Sequence, residues 1–137
     1  MRPLVIVLLL SISLSSYAQD KAIVLFIRHT GFSTAKYNVF IDDNVVCKLK
    51  QRRYSAHEVS PGTHTFMAQF AGTNAKEGAK REAVSITCEA GKTYYVNLVV
   101  RENYRWQYKN VFCEEITENT WKKLYADIPR QDDCKID

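Results

Sequence analysis

From Lys21 onward the chain is punctuated: short apolar or alternating runs are cut at close intervals by residues that favour turns. This pattern constrains the fold more than any other feature, because period-two side chains line the two faces of a strand and cannot form one apolar helical stripe. Lys21 to His29, KAIVLFIRH, is a near-continuous apolar run, short enough for a strand buried on both faces. YNVFID follows at 37–42, and Asp42, Asp43 and Asn44 supply a tight turn before VVCKLK, which predicts a hairpin. Arg53 to Val59 leads into Ser60-Pro61-Gly62-Thr63, where Pro61 presets φ and Gly62 permits a positive φ. HTFMAQF then returns as the partner strand of a second predicted hairpin. Ala71 to Lys80 is small, polar and glycine-containing, and reads as an exposed loop. EAVSITC turns at Glu89-Ala90-Gly91-Lys92 into TYYVNLVV, with Lys92 at a hairpin tip, and YKNVFCEEI supplies the last strand. Seven to eight such strands predict an all-β fold, an antiparallel β-sandwich of immunoglobulin-like kind.

The period changes only near the C-terminus. TENTWKKLYAD, residues 117–127, offers Thr117 or Asn119 as a cap and spaces Trp121, Leu124 and Tyr125 at i, i+3, i+4, which predicts one short helix ended by Pro129. At the other end, Arg2, the apolar run beginning at Leu4 and the small-polar approach to Ala18 read as a signal peptide over residues 1–18. The run is too short for a membrane helix, so no transmembrane segment is expected in the mature form. The first cysteine is Cys47, so lipid attachment directly after the signal is not expected either. Residues 19–137 then form a single domain, with a helix and tail over 117–137 and no repeat or linker dividing it.

Export places Cys47, Cys88, Cys113 and Cys134 in an oxidising compartment, secreted or periplasmic, where two disulfides are the default and three connectivities are open. Cys47 shares a strand face with Val45 and Leu49, and Cys88 with Val84 and Ile86, so both point inward by parity. That favours Cys47–Cys88, with Cys113–Cys134 tying the tail to the last strand. No CxxC or other close pair supports a metal or redox motif, so no metal or cofactor is expected.

Parity also sorts the aromatic-rich stretch after Gly91. Tyr94, Val96, Leu98 and Val100 fall on one side, the core, while Tyr95, Asn97, Val99 and Arg101 fall on the other. Tyr104, Arg105 and Trp106 lie in the connection beyond and form either a contact patch or the aromatic closure of a sandwich end.

Tyr37-x-Val39-x-Ile41-Asp42, Tyr54, Val59-x-Pro61-Gly62-x-His64 and Ala90-Gly91-Lys92-Thr93-Tyr94-Tyr95 resemble a bacterial secreted and lipoprotein family known as domain-of-unknown-function family 2846, itself similar to PEGA-type domains of bacterial envelopes. The resemblance runs over roughly residues 22 to 116. In such relatives a glycine often follows the aspartate of the first hairpin, whereas here Asp43 stands there. The resemblance implies a prealbumin-like sandwich on the exported side and carries no catalytic residues.

Read for chemistry, the chain offers three histidines, His29, His57 and His64, as the side chains that titrate nearest neutrality. His57 and His64 flank the Pro61-Gly62 turn and, in a hairpin, would share a face one diagonal step apart, a conceivable metal or acid-base pair. Glu114 and Glu115 are adjacent and point to opposite faces, and neither a GxSxG elbow nor an HExxH motif occurs. The formal net charge is +4, one less once Arg2 departs with the signal. Lys48, Lys50 and Arg52 share one strand face with Arg53 nearby, a basic strip that suits either a solvated edge or an anionic partner. Nucleic acid is not expected of an exported chain of this charge. The function these features predict is a non-catalytic exported module that binds a protein or an anionic glycan or envelope surface through Lys48, Lys50, Arg52, Arg53, Tyr104, Arg105 and Trp106. The alternatives are an inhibitor of a secreted enzyme and a small metal-dependent hydrolase using His57 and His64.

Overall fold

A computed structural model describes residues 20–29, 34–103 and 108–136, apart from the side chains of 102, 103, 108 and 109. Two four-stranded sheets face each other. The first has the order β4 (Arg53–Val59), β1 (Ala22–Arg28), β7 (Thr93–Asn103), β8 (Tyr108–Ile116). The second has the order β3 (Asn44–Leu49), β2 (Tyr37–Ile41), β5 (Gly62–Gln69), β6 (Val84–Cys88). This is the predicted all-β sandwich, with eight strands among the described residues and one internal exception: β1 pairs with β7 in parallel, while every other named pair is antiparallel.

The core follows from parity. Val24, Phe26, Val39, Leu49, Phe66, Ala68, Val96 and Leu98 alternate inward from both sheets into one cluster, with Tyr94 and Val100 at its margin. The β2–β3 hairpin forms as expected, with Ile41 opposite Asn44 and a two-residue loop in which Asp42 (φ 49°) and Asp43 (φ 66°) are both left-handed. Positive φ at both central residues defines a type I′ turn, whose twist matches that of the flanking strands. Aspartate tolerates this region better than most residues because its short side chain bonds locally, so the glycine that usually follows is not required.

The other two turns do something different from what their residues predict. Ser60-Pro61 joins β4 of the first sheet to β5 of the second, and Glu89–Lys92 joins β6 of the second to β7 of the first. Both are crossings between sheets, not hairpins. Gly62 (φ 128°) and Gly91 (φ 77°) supply the expected positive φ, but that local freedom serves an arch as well as a hairpin. Residues 71–80 are likewise not all loop, since Glu77–Arg81 forms a short helix, α1.

Thr117 caps the C-terminal helix by accepting from the Thr120 N–H (3.2 Å). The α-helical turn α2 (Glu118–Thr120) runs on into a π-helical turn over Trp121–Tyr125. Trp121 and Tyr125 pack on the outer face of the first sheet against Ile27, Tyr95 and Ile128, with the Trp121 and Tyr95 rings stacked at 5.8 Å. Tyr95 does face away from the main core, and the helix buries it there. Leu124 was expected on the same stripe but is 56% exposed. A π turn advances fewer degrees per residue, so i and i+4 stay aligned while i+3 swings to solvent.

After Pro129 the tail bridges the two sheets on the side where β3 and β4 meet. Tyr54 N–H donates to Pro129 O (3.3 Å) and Gln131 N–H to Tyr54 O (2.7 Å), which places the tail beside β4. The Gln131 side chain reaches β3, where Nε2 donates to Lys48 O (2.7 Å) and Oε1 accepts from Lys50 N–H (2.8 Å). Three residues on, Cys134 is bonded to Cys47, with Cα atoms 4.4 Å apart.

The expected Cys47–Cys88 and Cys113–Cys134 pairs are therefore corrected to Cys47–Cys134, with Cys88 and Cys113 as buried thiols. Parity was right in turning Cys47 and Cys88 inward. Sheet order defeats the bond, because β3 and β6 are opposite edges of one four-stranded sheet. Three strand spacings separate them by about 14 Å, twice the reach of a disulfide. Burial pushes the Cys113 thiol up to about 12, and burial followed by the charges of Glu115 and Asp42 raises Cys88. Both stay protonated and unreactive.

Peptide mapping of the unreduced chain is expected to yield one linked pair, Cys47 with Cys134, and two thiols that react only on unfolding. A Cys47–Cys88 peptide would overturn the sheet order itself. Gln131→Ala leaves the Lys48 carbonyl and Lys50 N–H without their partner, and should lower unfolding stability by about 2 to 3 kcal/mol. Denaturant titration at fixed disulfide state reads that loss.

Candidate functional site

The basic strip does not survive as a strand face. Strand β3 ends at Leu49, and the chain turns at Gln51-Arg52, where Arg52 takes a left-handed φ of 52° and leaves the line of Lys48 and Lys50. Arg53 folds back to donate from Nη1 to Arg52 O (3.0 Å). Lys48 instead joins a different group. It sits opposite Asn38 in the β2–β3 register, and Lys36 precedes Asn38 by two residues, so all three share the outer face of the second sheet. With Phe70, Ala71 and Gly72 they line an open cleft of ≈ 310 Å³.

The far wall of the cleft is held by two amides. Gln69 Nε2 shares its two protons among the carbonyls of Ala71 (3.0 Å), Gly72 (2.9 Å) and Asn74 (2.9 Å), while its Oε1 accepts from Lys76 N–H (3.0 Å). Asn38 Nδ2 donates to Gly72 O (2.8 Å). Loop 71–76 is thereby fastened over the sheet, with the Phe70 ring at the rim, 48% exposed and set edge-on to Tyr37. Arg28 is fully buried behind the same region, donating from Nη1 to Ala35 O (2.5 Å) and Leu49 O (3.0 Å) with its guanidinium over the Tyr37 ring. Sequence reasoning passed over Arg28, Asn38, Gln69 and Gln131. For Arg28, Asn38 and Gln69 the signal was a single polar residue within or beside an apolar run, a position that must be satisfied if buried, whereas Gln131 stands in the polar run Arg130–Asp133 and carried none.

His57 and His64 were expected on one hairpin face. They lie instead in different sheets, on β4 and β5, because the turn between them is an arch. Each has its own surroundings. His64 Nδ1 meets Asp42 Oδ2, and its Nε2 meets Ser60 O (2.7 Å) and Ser60 Oγ (3.3 Å), while Thr65 N–H donates to Asp42 Oδ1 (2.9 Å). The connectivity is that of a Ser-His-Asp triad, but the donors and acceptors are arranged otherwise. A carbonyl and a carboxylate only accept, so both ring nitrogens donate and the imidazolium keeps no lone pair for the Ser60 proton. The group is a clamp that fastens the β4–β5 arch to the β2–β3 turn.

The hydrogen bond to Asp42 raises the His64 pKa against the opposing effect of burial, helped by the Ser60 carbonyl and the Asp42 charge. Burial pushes Asp42 up, but the bonds from His64 and Thr65 and the His64 charge outweigh it and leave Asp42 low. His57 goes the other way, since burial and then the Arg130 charge push it down to about 4. Its Nε2 bonds Ser55 Oγ (2.8 Å), and its ring lies edge-on to Phe26. One ligand atom each from His57, Cys47 and Cys134 falls within 4.8 Å of the others. Tyr104, Arg105 and Trp106 lie outside the described residues.

No protein-family model matches the chain, and no curated protein matches it significantly.

The two histidines should titrate on opposite sides of the ordinary value. The His64 contribution to stability is complete below the unfolded pKa of about 6.5 and is lost as pH rises through the raised folded value. Asp42 contributes above its unfolded pKa of about 3.9, and that is lost as pH falls through its lowered folded value. His57 costs stability as pH falls from about 6.5 towards 4, because only the unfolded chain takes up the proton there. Proton NMR of the ring signals should place His64 above His57, and Asp42→Asn should bring His64 down. A His64 that titrates below His57 would sink the clamp.

Proposed function

We propose that the chain is a non-catalytic, exported β-sandwich module that binds an anionic glycan at the cleft between the second sheet and loop 71–76. The observation that carries this reading is the pairing of two lysines, Lys36 and Lys48, with the exposed Phe70 ring around one open cleft. Lysines attract and orient an anionic sugar, and an aromatic rim offers an apolar face to the C–H side of a pyranose ring. Asn38 and Gln69 hold the opposing backbone in place before any ligand arrives, which lowers the ordering cost of binding.

Several features support export and the absence of catalysis. The N-terminal segment reads as a signal peptide, the Cys47–Cys134 bond suits an oxidising compartment, and among the described residues no helix is long and apolar enough to cross a membrane. His57 and His64, the pair a hydrolase would need, are separated between sheets, and His64 is committed to a structural clamp. The resemblance to exported domains of PEGA type points the same way.

Binding of the full chain to an immobilised polyuronate should weaken with salt, fall about tenfold in Lys36→Ser/Lys48→Ser, equivalent to about 1.4 kcal/mol, and fall severalfold in Phe70→Ala. Arg52→Ser/Arg53→Ser, on the turn beyond the cleft, should retain most of it. Equal retention by wild type and the lysine variant would refute the cleft as the binding site.

A further inference from the structure

We propose that Cys47, Cys134 and His57 are a latent site for one thiophilic d10 cation, with Zn²⁺ as the probe ion, that becomes competent when the Cys47–Cys134 disulfide is reduced. The three residues come from three segments, β3, the tail and β4, and their sequence spacing resembles no metal motif. Folding brings two sulfurs and an imidazole nitrogen within 4.8 Å of one another at the seam between the sheets. Two thiolates and an imidazole are the donor set that zinc accepts with one coordination position left open.

The geometry asks little of the fold. With metal–sulfur bonds of about 2.3 Å and a tetrahedral arrangement, the two sulfurs must part to roughly 3.8 Å. Cys47 is on a buried strand, but Cys134 is on the tail and half-buried, so side-chain rotation at Cys134 can supply the opening. His57 is already oriented, since its Nε2 is bonded to the buried Ser55 hydroxyl and its ring lies against Phe26. Ligation through Nδ1 would keep that bond as the outer support that metal-ligating histidines ordinarily have. Gln131 Nε2 lies 3.7 Å from Cys47 Sγ, while its two protons go to Lys48 O and Asp133 O at 2.7 Å each, which fixes the tail on both sides of the site. Because Gln131 also bonds β3 and β4, the tail stays in register when the sulfurs separate.

The chemistry balances with a dithiol as reductant. The dithiol gives two electrons and two protons to the disulfide and becomes a disulfide itself, leaving Cys47 and Cys134 as thiols. Zinc then displaces the two S–H protons to solvent with no further electron transfer. Exchange with a small-molecule disulfide reverses the sequence: that disulfide accepts the two electrons and, with two protons from solvent, leaves as two thiols, the Cys47–Cys134 bond re-forms, and the ion is released.

The test uses the full chain carrying Cys88→Ser and Cys113→Ser, so that the Cys47–Cys134 pair contributes the only thiols. The chain is reduced with a dithiol, freed of it without oxygen, and titrated with Zn²⁺ against a chromophoric chelator. The reduced chain should bind one equivalent, the oxidised chain none of comparable affinity, and His57→Phe should weaken binding about tenfold or more. Substitution by Co²⁺ should add a thiolate-to-metal charge-transfer band. Equal zinc affinity of reduced and oxidised chains, or no effect of His57→Phe, overturns the proposal. If reduction unfolds the chain, zinc should restore its near-ultraviolet dichroism, and a chain that stays unfolded with zinc overturns the proposal equally.

Discussion

The arrangement of the sandwich depends on one residue that belongs to neither sheet. Gln131 gives its backbone to β4 and its side chain to β3, so a single side chain and a single peptide group span the gap between the first sheet and the second. A sandwich of open sheets leaves unpaired strand edges, and unpaired edges invite association with other chains. Here the tail covers one end of the β3 and β4 edges, bonding at Tyr54, Lys48 and Lys50. The Cys47–Cys134 bond secures that cover across 87 residues of sequence, a constraint worth on the order of 4 to 5 kcal/mol in the chain-entropy picture. The tail is therefore part of the fold, although it contains almost no regular structure.

What the sequence made legible, and what it hid, divide along a physical line. Period-two alternation gave the strands and their inward faces, because both are properties of neighbouring residues. Asp42-Asp43 gave a hairpin because the left-handed turn is local too. Ser60-Pro61-Gly62 and Glu89-Ala90-Gly91-Lys92 were misread for the same reason: positive φ at a glycine reverses the chain but does not say into which sheet the next strand goes. The disulfide error descends from that misreading. Parity turned Cys47 and Cys88 inward correctly, yet only sheet order shows them at opposite edges. Leu124 was lost to a π turn, which no i, i+3, i+4 count anticipates.

The candidate sites were less legible than the strands. The basic strip was drawn on a strand that ends at Leu49, and Arg52 breaks it by adopting the left-handed region that lets the chain pass from β3 to β4. Lys36, which lines the cleft, stands outside the strip because it is close to Lys48 only through the β2–β3 register. His57 and His64 looked like a pair because seven residues of sequence could have formed a hairpin. Once the arch separates them, each joins a group assembled from distant segments, one with Asp42 at the end of β2 and one with the sulfurs of β3 and the tail.

A common device links the fold to the sites. Arg28, Asn38, Gln69 and Gln131 are buried polar residues, and each side chain bonds chiefly to backbone groups, in every case joining an irregular segment to a strand. An apolar residue at these positions would add a little packing but would leave the adjoining loop carbonyls to find water or remain unpaired, at a cost of about 1 to 3 kcal/mol for each buried group. The polar choice instead fixes the course of the loop. At Gln69 and Asn38 that course forms one wall of the cleft, and at Gln131 it holds Cys134 against Cys47 and His57. A β-sandwich supplies rigid strands whatever its function, so the specific geometry of this chain resides in how those four side chains fasten its loops and tail to the strands.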